Sequence, residues 1–322
     1  MGLKDNILIW QQNVNKLPIC QHDLLSSNKL LDMNIDVITL QEPAIINASC
    51  SIVARDWISV YPTPHLSNPK KTRLLMLIQV EISMDSWNQL DFPSSDVTVV
   101  QFLGEWGKLT IFNIYNEGAN NNTINLLMKY QRDNHQKLEH CQTGSMQQIW
   151  LGDFNQHHPY WDDPNNLRLF TDTAITVAES LIEAVANAGL DLALPRGIPT
   201  HCHSVTKLWS RLNHIFISEG SVDAIITCNT LIDHRGINTD HVLVLTELNL
   251  GLVMNKTKPI PNFRDVDWDE FRKALASNLG LEPEDQIISQ RQLDERCDTL
   301  MEAIQSAICE QVPVTEITSK SK

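Results

Sequence analysis

The stretch Gly152–Asp163 reads GDFNQHHPYWDD and packs Asp153, Asn155, His157, His158, Trp161, Asp162 and Asp163 into twelve positions. The run before it, QIWL (148–151), is apolar and strand-forming, so the chain leaves a buried strand and at once presents carboxylates, an amide and imidazoles. The same arrangement recurs along the chain. Asn13 follows the apolar run NILIW (6–10), Glu42 follows DVITL (36–40), and Tyr115 ends KLTIFNIY (108–115). Asn213 precedes HIFIS (214–218), while Asp240 and His241 open HVLVLTEL (241–248). Polar residues at strand tips converge if the tips share one edge of the sheets, which is how a rigid scaffold presents chemistry.

The residue types define what a converged set could do. Glu42 is a hard oxygen ligand suited to Mg²⁺, which takes one or two carboxylates and completes its shell with water and substrate phosphate. Asp153 could position or deprotonate an attacking water, and Asn155 would orient it. Asn13 could hydrogen-bond a metal ligand or a phosphate oxygen. His241 and Tyr115 would meet the charge that develops on phosphoryl oxygens. The set has one metal, one acid–base pair and no covalent nucleophile, which suits hydrolysis of a phosphodiester.

The elements that must position these residues are legible as nine or more short apolar runs up to about residue 250, among them LLMLIQV (74–80), VTVVQFL (97–103) and AIITC (224–228). Helical patterns lie between them at 24–34, 123–140 and 175–190; in the last, Ala178, Leu181, Ile182 and Val185 form one stripe and Gly189 follows as a C-cap signal. No helix separates 74–80, 97–103 and 108–115, so these are expected to be antiparallel neighbours. The expected class is α/β with two sheets; a parallel dinucleotide-binding sheet is disfavoured because no GxGxxG occurs. After residue 250 the composition turns linker-like, then shows amphipathic helical patterns at 268–279 and 292–308, with Leu293, Cys297, Leu300, Met301, Ile304 and Ile308 on one face of the second. The expected domains are 1–250 and a helical extension at 251–322. The extension's apolar faces should pack on the first domain or on a protein partner.

The 322 residues carry 25 basic and 39 acidic side chains, net −14. Such a chain lacks the footprint of a protein that coats nucleic acid, although a nuclease needs only a local basic groove and a cation. Lys70, Lys71 and Arg73 form the tight basic cluster of the first domain, read either as phosphate contacts or as a solvated loop. No apolar stretch reaches membrane-spanning length and no secretory leader is readable at the N-terminus, so no membrane association is expected. The seven cysteines are scattered without a CxxC pair, which fits a reducing compartment. The expected location is intracellular, nuclear or cytoplasmic, not secreted. His201-Cys202-His203 invites a zinc reading, but no fourth ligand stands at suitable spacing.

The ordered motifs QxNxN, QEP, NxY, GDFNxxHxxW, SRxxxxxxS and TDH resemble the endonuclease/exonuclease/phosphatase superfamily, deoxyribonuclease I-like. Within it, GDFNQHHPYWDD resembles the endonuclease domain of non-LTR (LINE-type) retrotransposons, and NFRDVDWDEFRKAL (262–275) resembles the segment that follows that domain. The resemblance covers roughly residues 5–280. It implies a four-layer α/β sandwich of two packed, mostly antiparallel sheets flanked by helices. It also implies Mg²⁺-dependent cleavage of DNA, with Mn²⁺ an alternative ion. Carried over, Glu42 is the metal ligand with Asn13 assisting, Tyr115 and His241 are phosphate-side groups, Asp153 is the base, Asn155 orients it and Asp240 is a secondary acid. Asn13, His158, Lys71 and Arg73 are the candidate substrate contacts. His158 could equally serve the loop together with Pro159 and Trp161. One departure is Asn213, where the family usually has an Asp paired with the histidine. An Asn can orient an imidazole through its carbonyl but cannot stabilise an imidazolium by charge, so reduced activity is expected. The competing expectations are a phosphodiesterase or phosphatase of the same fold, against which stands the missing PAWCDR-type signature, and a decayed domain that binds without cutting.

Overall fold

The computed structural model describes residues 4–26, 33–46, 50–52, 54–104, 106–139, 145–252, 260–261, 263, 266–280 and 289–315. They fall into two compact units, Met1–Met254 and Asn255–Lys322. The strands of the first are β1 (Lys4–Asn13), β2 (Val37–Gln41), β3 (Trp57–Val60), β4 (Leu74–Gln79), β5 (Trp87–Leu90), β6 (Val97–Gly104), β7 (Gly107–Tyr115), β8 (Ser145–Asp153), β9 (Leu190–Leu192), β10 (His201–Cys202), β11 (Trp209–Ser210), β12 (Asn213–Ser218), β13 (Ile225–Leu231) and β14 (Leu243–Leu252). Its α-helices are α1 (Pro18–Ser26), α2 (Asn122–Asp133), α3 (His135–Glu139) and α4 (Asp172–Asn187).

Two six-stranded sheets result, ordered β13-β14-β1-β2-β4-β3 and β5-β6-β7-β8-β12-β9. Each contains one parallel pair, β1 with β2 and β7 with β8; the other neighbours run antiparallel. The period-2 alternation of side chains assigns the layers. Ile7, Ile9, Met76 and Ile78 from the first sheet meet Val100, Phe102, Ile111, Ile149 and Ile215 from the second. The opposite face of the first sheet, with Trp10, Ile38, Leu75 and Leu77, packs on Cys20 and Leu24 of α1. The opposite face of the second, with Phe112, Trp150 and Phe216, packs on Leu127 of α2 and on Ala178, Leu181 and Val185 of α4. The first unit is therefore a four-layer α/β sandwich.

The structure corrects three expectations. Residues 97–103 and 108–115 pair as expected, but β4 lies in the other sheet and meets them across the core, because both of its faces are apolar and buried. The first helix starts at Pro18, which suits the first turn of a helix, and ends at Ser26; the remainder of the expected 24–34 pattern lies largely outside the described residues. The expected 123–140 helix breaks at Asn134, whose backbone N–H and Nδ2 both return to the Tyr130 carbonyl. By contrast α4 matches its pattern: Thr171 caps its N-terminus by accepting from the Ala174 N–H at 3.2 Å, and Gly189 follows its end at φ +59°.

The second unit holds the two-residue strands β15 (Ile260–Pro261) and β16 (Val314–Thr315), paired antiparallel, with α5 (Trp268–Leu279) and α6 (Gln290–Gln311). Asp267 caps α5 and Ser289 caps α6. The buried positions of α6 include Ala303 and Ala307, whereas Leu293, Leu300 and Met301 of the expected stripe are exposed.

Candidate active site

Strand register brings the tips together. In β1 and β2, Asn13 lies opposite Gln41, one residue before Glu42. In the second sheet, Asp153 lies opposite both Tyr115 and Asn213. Because β1 and β2 end where β14 begins, and β7 and β8 end where β12 begins, all these tips share one rim of the sandwich. Across that rim Asn13 Nδ2 donates to Asp153 Oδ2 at 2.8 Å. Below it a relay of buried amides ties the sheets: Gln11 Nε2 donates to Gln41 Oε1 at 2.5 Å, and Gln41 Nε2 donates to Asn113 Oδ1 at 2.6 Å. In a low-dielectric core such a network fixes relative position strongly.

The backbone is unusual at the points that matter. Glu42 and Asn155 have φ of +49° and +52°, a region that non-glycine residues seldom occupy. Glu42 directly follows β2 and Asn155 lies two residues past the end of β8, and the left-handed turn re-aims the chain at the rim. Gly152, at φ +146°, is obligatory, since a Cβ there would stand 1.9 Å from the Ile114 carbonyl oxygen of the parallel neighbour. That close approach seats Asp153 against β7.

Asp153 is 1% exposed and takes a second bond, from the Asn155 N–H at 3.2 Å. Asn155 Nδ2 is itself tied to the Asn116 carbonyl at 2.8 Å. His241 Nδ1 faces Asn213 Oδ1 at 2.9 Å, so that nitrogen carries the proton and Nε2 is left bare. Nε2 stands 3.8 Å from Asp153 Oδ2 and 3.9 Å from Asp240 Oδ1. Thr239 bonds the Asn13 carbonyl at 2.9 Å and receives the His241 N–H at 3.2 Å, which locks the TDH turn onto β1.

Burial governs the electrostatics. It pushes the Asp153 carboxyl up to about 7, although the Asn13 and Asn155 bonds oppose it; the Glu42 charge adds to the rise. Burial, helped by neighbouring His201, holds His241 down at about 4. The His201 hydrogen bond brings Asp240 down to about 2. Burial, then Glu42 and Asp153, pushes Tyr115 up to about 12. At neutral pH the rim thus holds a carboxyl poised between its two states beside a neutral imidazole, which suits proton exchange with water.

The candidate substrate contacts differ from this group. Arg73 has its charge met by Asp96 at 2.9 Å and Glu117 at 3.5 Å, and its guanidinium lies 4.9 Å over the Tyr115 ring. Lys71 is exposed in the short turn Pro69–Lys71, two residues from Arg73. His158 turns into its own loop: Nδ1 accepts from the Tyr160 N–H at 3.0 Å and the ring lies against Trp161. Within the crowded loop, Asp153 and Asn155 belong to the rim, whereas Trp161 and Asp162 are both buried. Asp162 accepts from the His158 and Arg211 N–H groups at 3.1 Å each.

Two participants, Thr200 and Asn116, escaped the sequence, and a third, His201, stood out there only within the His201-Cys202-His203 run. His201 bridges to His241 in backbone pairing and holds Asp240 Oδ2 at 3.4 Å through Nε2. Thr200 accepts the Leu212 and Asn213 N–H groups and so sets the start of β12. Asn116 supports Asn155. A polar residue next to an apolar tip was the signal for Asn116; His201 and Thr200 lie on and beside a two-residue strand that no periodicity announces.

No family model matches the chain, and no curated protein matches it in sequence. Solved structures do. The endonuclease domain of TRAS1, a telomere-specific non-LTR retrotransposon, matches with TM-score 0.57 and 15% identity over 76% of this chain and 99% of that one. The 3′-5′ exonuclease NExo of Neisseria meningitidis matches with TM-score 0.55 and 18% identity over 76% and 100%. The AP endonuclease LMAP of Leishmania major matches with TM-score 0.59 and 11% identity over 76% and 88%. At these identities the likeness is one of fold: the chain has the deoxyribonuclease I-like fold in which these nucleases are built.

Proposed function

We propose that the chain is a Mg²⁺-dependent endonuclease, retrotransposon-derived, that hydrolyses DNA phosphodiester bonds, with Mn²⁺ able to replace Mg²⁺. The observation that carries this reading is the junction of the two sheets at Asn13 and Asp153, with His241 Nε2 3.8 Å away. A divalent cation fits the donor chemistry. Glu42 and Asp153 are carboxylates close enough that one raises the other's proton affinity, and Asn13 adds an amide oxygen. Oxygen donors with excess negative charge are what Mg²⁺ takes. Glu42 and Asn13 would hold it, and when bound it supplies Lewis-acid polarisation of the phosphate.

The chain's own residues account for the rest. Asp153, poised near neutrality, takes the proton from the attacking water. Asn155 and Asn13 fix its two oxygens. His241, held by Asn213, faces the phosphoryl oxygens together with Tyr115, and Asp240 sets the field at the imidazole. Lys71 borders the approach, and Arg73 keeps Tyr115 in place. A second reading, a nuclease-like domain that binds without cutting, draws on Asn213, whose amide cannot offer a histidine the charge of a carboxylate.

The test is conversion of supercoiled plasmid to nicked circles with Mg²⁺ and with EDTA, alongside phosphate release from inositol phosphates. Nicking that EDTA abolishes, without phosphate release, supports the endonuclease. Phosphate release without nicking would move the chain to another substrate of the same fold, and folded protein inert in both assays would favour the binding role.

A further inference from the structure

The His201-Cys202-His203 run is not a site as a unit. Cys202 is buried, and the exposed His203 turns its Nδ1 to the Val205 and Thr206 N–H groups. His201 alone turns to the rim. One ligand atom each from His201, Asp240 and His241 fall within 4.8 Å of one another. His201 Nε2 lies 3.4 Å from Asp240 Oδ2, and His241 Nε2 lies 3.9 Å from Asp240 Oδ1. A tetrahedral ion with bonds of about 2.0–2.1 Å needs its ligands roughly 3.3–3.4 Å apart. The first pair is already at that spacing; the second is about half an ångström wide and reaches the other carboxylate oxygen, so Asp240 must turn for one oxygen to serve both nitrogens. Asp153 Oδ2 lies 3.8 Å from His241 Nε2, beside this group but not part of it.

Both imidazoles are also prepared from behind. His241 Nδ1 donates to Asn213 Oδ1 at 2.9 Å, and His201 Nδ1 shares a hydrogen bond of 3.2 Å with the Ser210 hydroxyl, which can donate or accept. Each ring is thus oriented with Nε2 forward. Metal-bound histidines nearly always donate their other ring N–H to such an outer partner. Two nitrogens and one carboxylate suit Zn²⁺, whereas the all-oxygen set around Glu42 suits Mg²⁺.

We propose that His201, Asp240 and His241 form a second metal site that takes Zn²⁺, and that filling it withdraws the His241 Nε2 lone pair and blocks hydrolysis. The inhibitory part rests on the proposed endonuclease; the binding part does not. The experiment titrates the full chain with Co²⁺ alone, read by its visible ligand-field absorption, and measures plasmid nicking in Mg²⁺ with added Zn²⁺. One equivalent of Co²⁺ on wild type should show an intense tetrahedral nitrogen–oxygen spectrum, distinct from the weak octahedral absorption expected at the all-oxygen Glu42 site, and no thiolate charge-transfer band, which separates the site from the exposed Cys50, Cys297 and Cys309. His201→Phe should lose that spectrum. Ser210→Ala, a milder change, should weaken Co²⁺ binding about 10- to 100-fold. Zn²⁺ should stop nicking by wild type, whereas the rate of His201→Phe, compared with that variant's own rate in Mg²⁺ alone, should not fall further. A spectrum unchanged in folded His201→Phe and in Ser210→Ala, or no Co²⁺ uptake by wild type, overturns the inference. Loss of the spectrum in His201→Phe while Zn²⁺ still inhibits that variant overturns the inhibitory part. If wild type nicks nothing, the endonuclease reading fails and the Co²⁺ spectrum alone decides this one.

Discussion

Asn213→Asp is the most informative single change. Asn213 is fully buried, its Oδ1 receives the His241 Nδ1 proton at 2.9 Å, and its Nδ2 has no hydrogen-bond partner. An aspartate there keeps the acceptor, removes an orphaned donor and adds charge. At 2.9 Å and an effective dielectric near 20, a carboxylate attracts an imidazolium by about 6 kcal/mol. Desolvating the new carboxylate offsets much of that. If about 2–3 kcal/mol remains for a transition state in which His241 bears positive charge, nicking accelerates by about 30- to 150-fold. The assay is the initial rate of plasmid nicking at saturating Mg²⁺, with circular dichroism and a thermal melt to establish folding. A folded Asn213→Asp variant that nicks no faster than wild type refutes the reasoning, since it would mean that charge on the imidazole is not used.

Other outcomes follow from the same structure. His214 is fully buried against Trp161, Phe154 and Phe216, and burial holds it well below the usual histidine range. Its native form is therefore neutral, so stability present above the unfolded-state pKa of about 6.5 is lost as pH falls, by about 1.4 kcal/mol per pH unit. His214→Phe should flatten the acid limb by about 2 kcal/mol between pH 6.5 and 5 in urea melts; equal slopes for both proteins would count against it. Arg211 is 1% exposed and its guanidinium serves the carbonyls of Leu194, Pro195 and Trp161 at 2.9, 2.7 and 3.3 Å. Arg211→Ala should cost about 3–5 kcal/mol by orphaning them, visible as a lowered urea midpoint; a loss under about 1 kcal/mol would show that water replaces the side chain. Gly152→Ala should fail to give folded protein, because the added Cβ meets the Ile114 carbonyl at 1.9 Å; a soluble, cooperatively melting variant would show that β7 and β8 can part.

Much of the rim was legible because strands advertise their ends. An apolar run that stops at Asn13, Glu42, Tyr115 or Asp153 states where the chain leaves the core, and a parallel pair puts two such ends on one side. The sheet assignment of β4 was not legible, since a strand buried on both faces carries no alternation to say which sheet owns it. The link of His201 to the rim was not legible for the opposite reason: its strand is two residues long, and its partners Asp240 and His241 lie far along the chain. Asp162 and Trp161 looked as chemical as Asp153 in sequence, but they hold the loop, and only burial and bond partners separate the roles.

In the proposed function Asp153 and His241 work as one hydrolytic unit. Plasmid nicking in Mg²⁺ by wild type, Asp153→Ala, His241→Ala and the double variant, all shown to be folded, tests it most directly. Groups that act as a unit are not additive. Wild type should nick, each single variant should lose nearly all activity, and the double variant should lose little more. Single losses that multiply in the double variant, or an Asp153→Ala protein that still nicks like wild type, would contradict it.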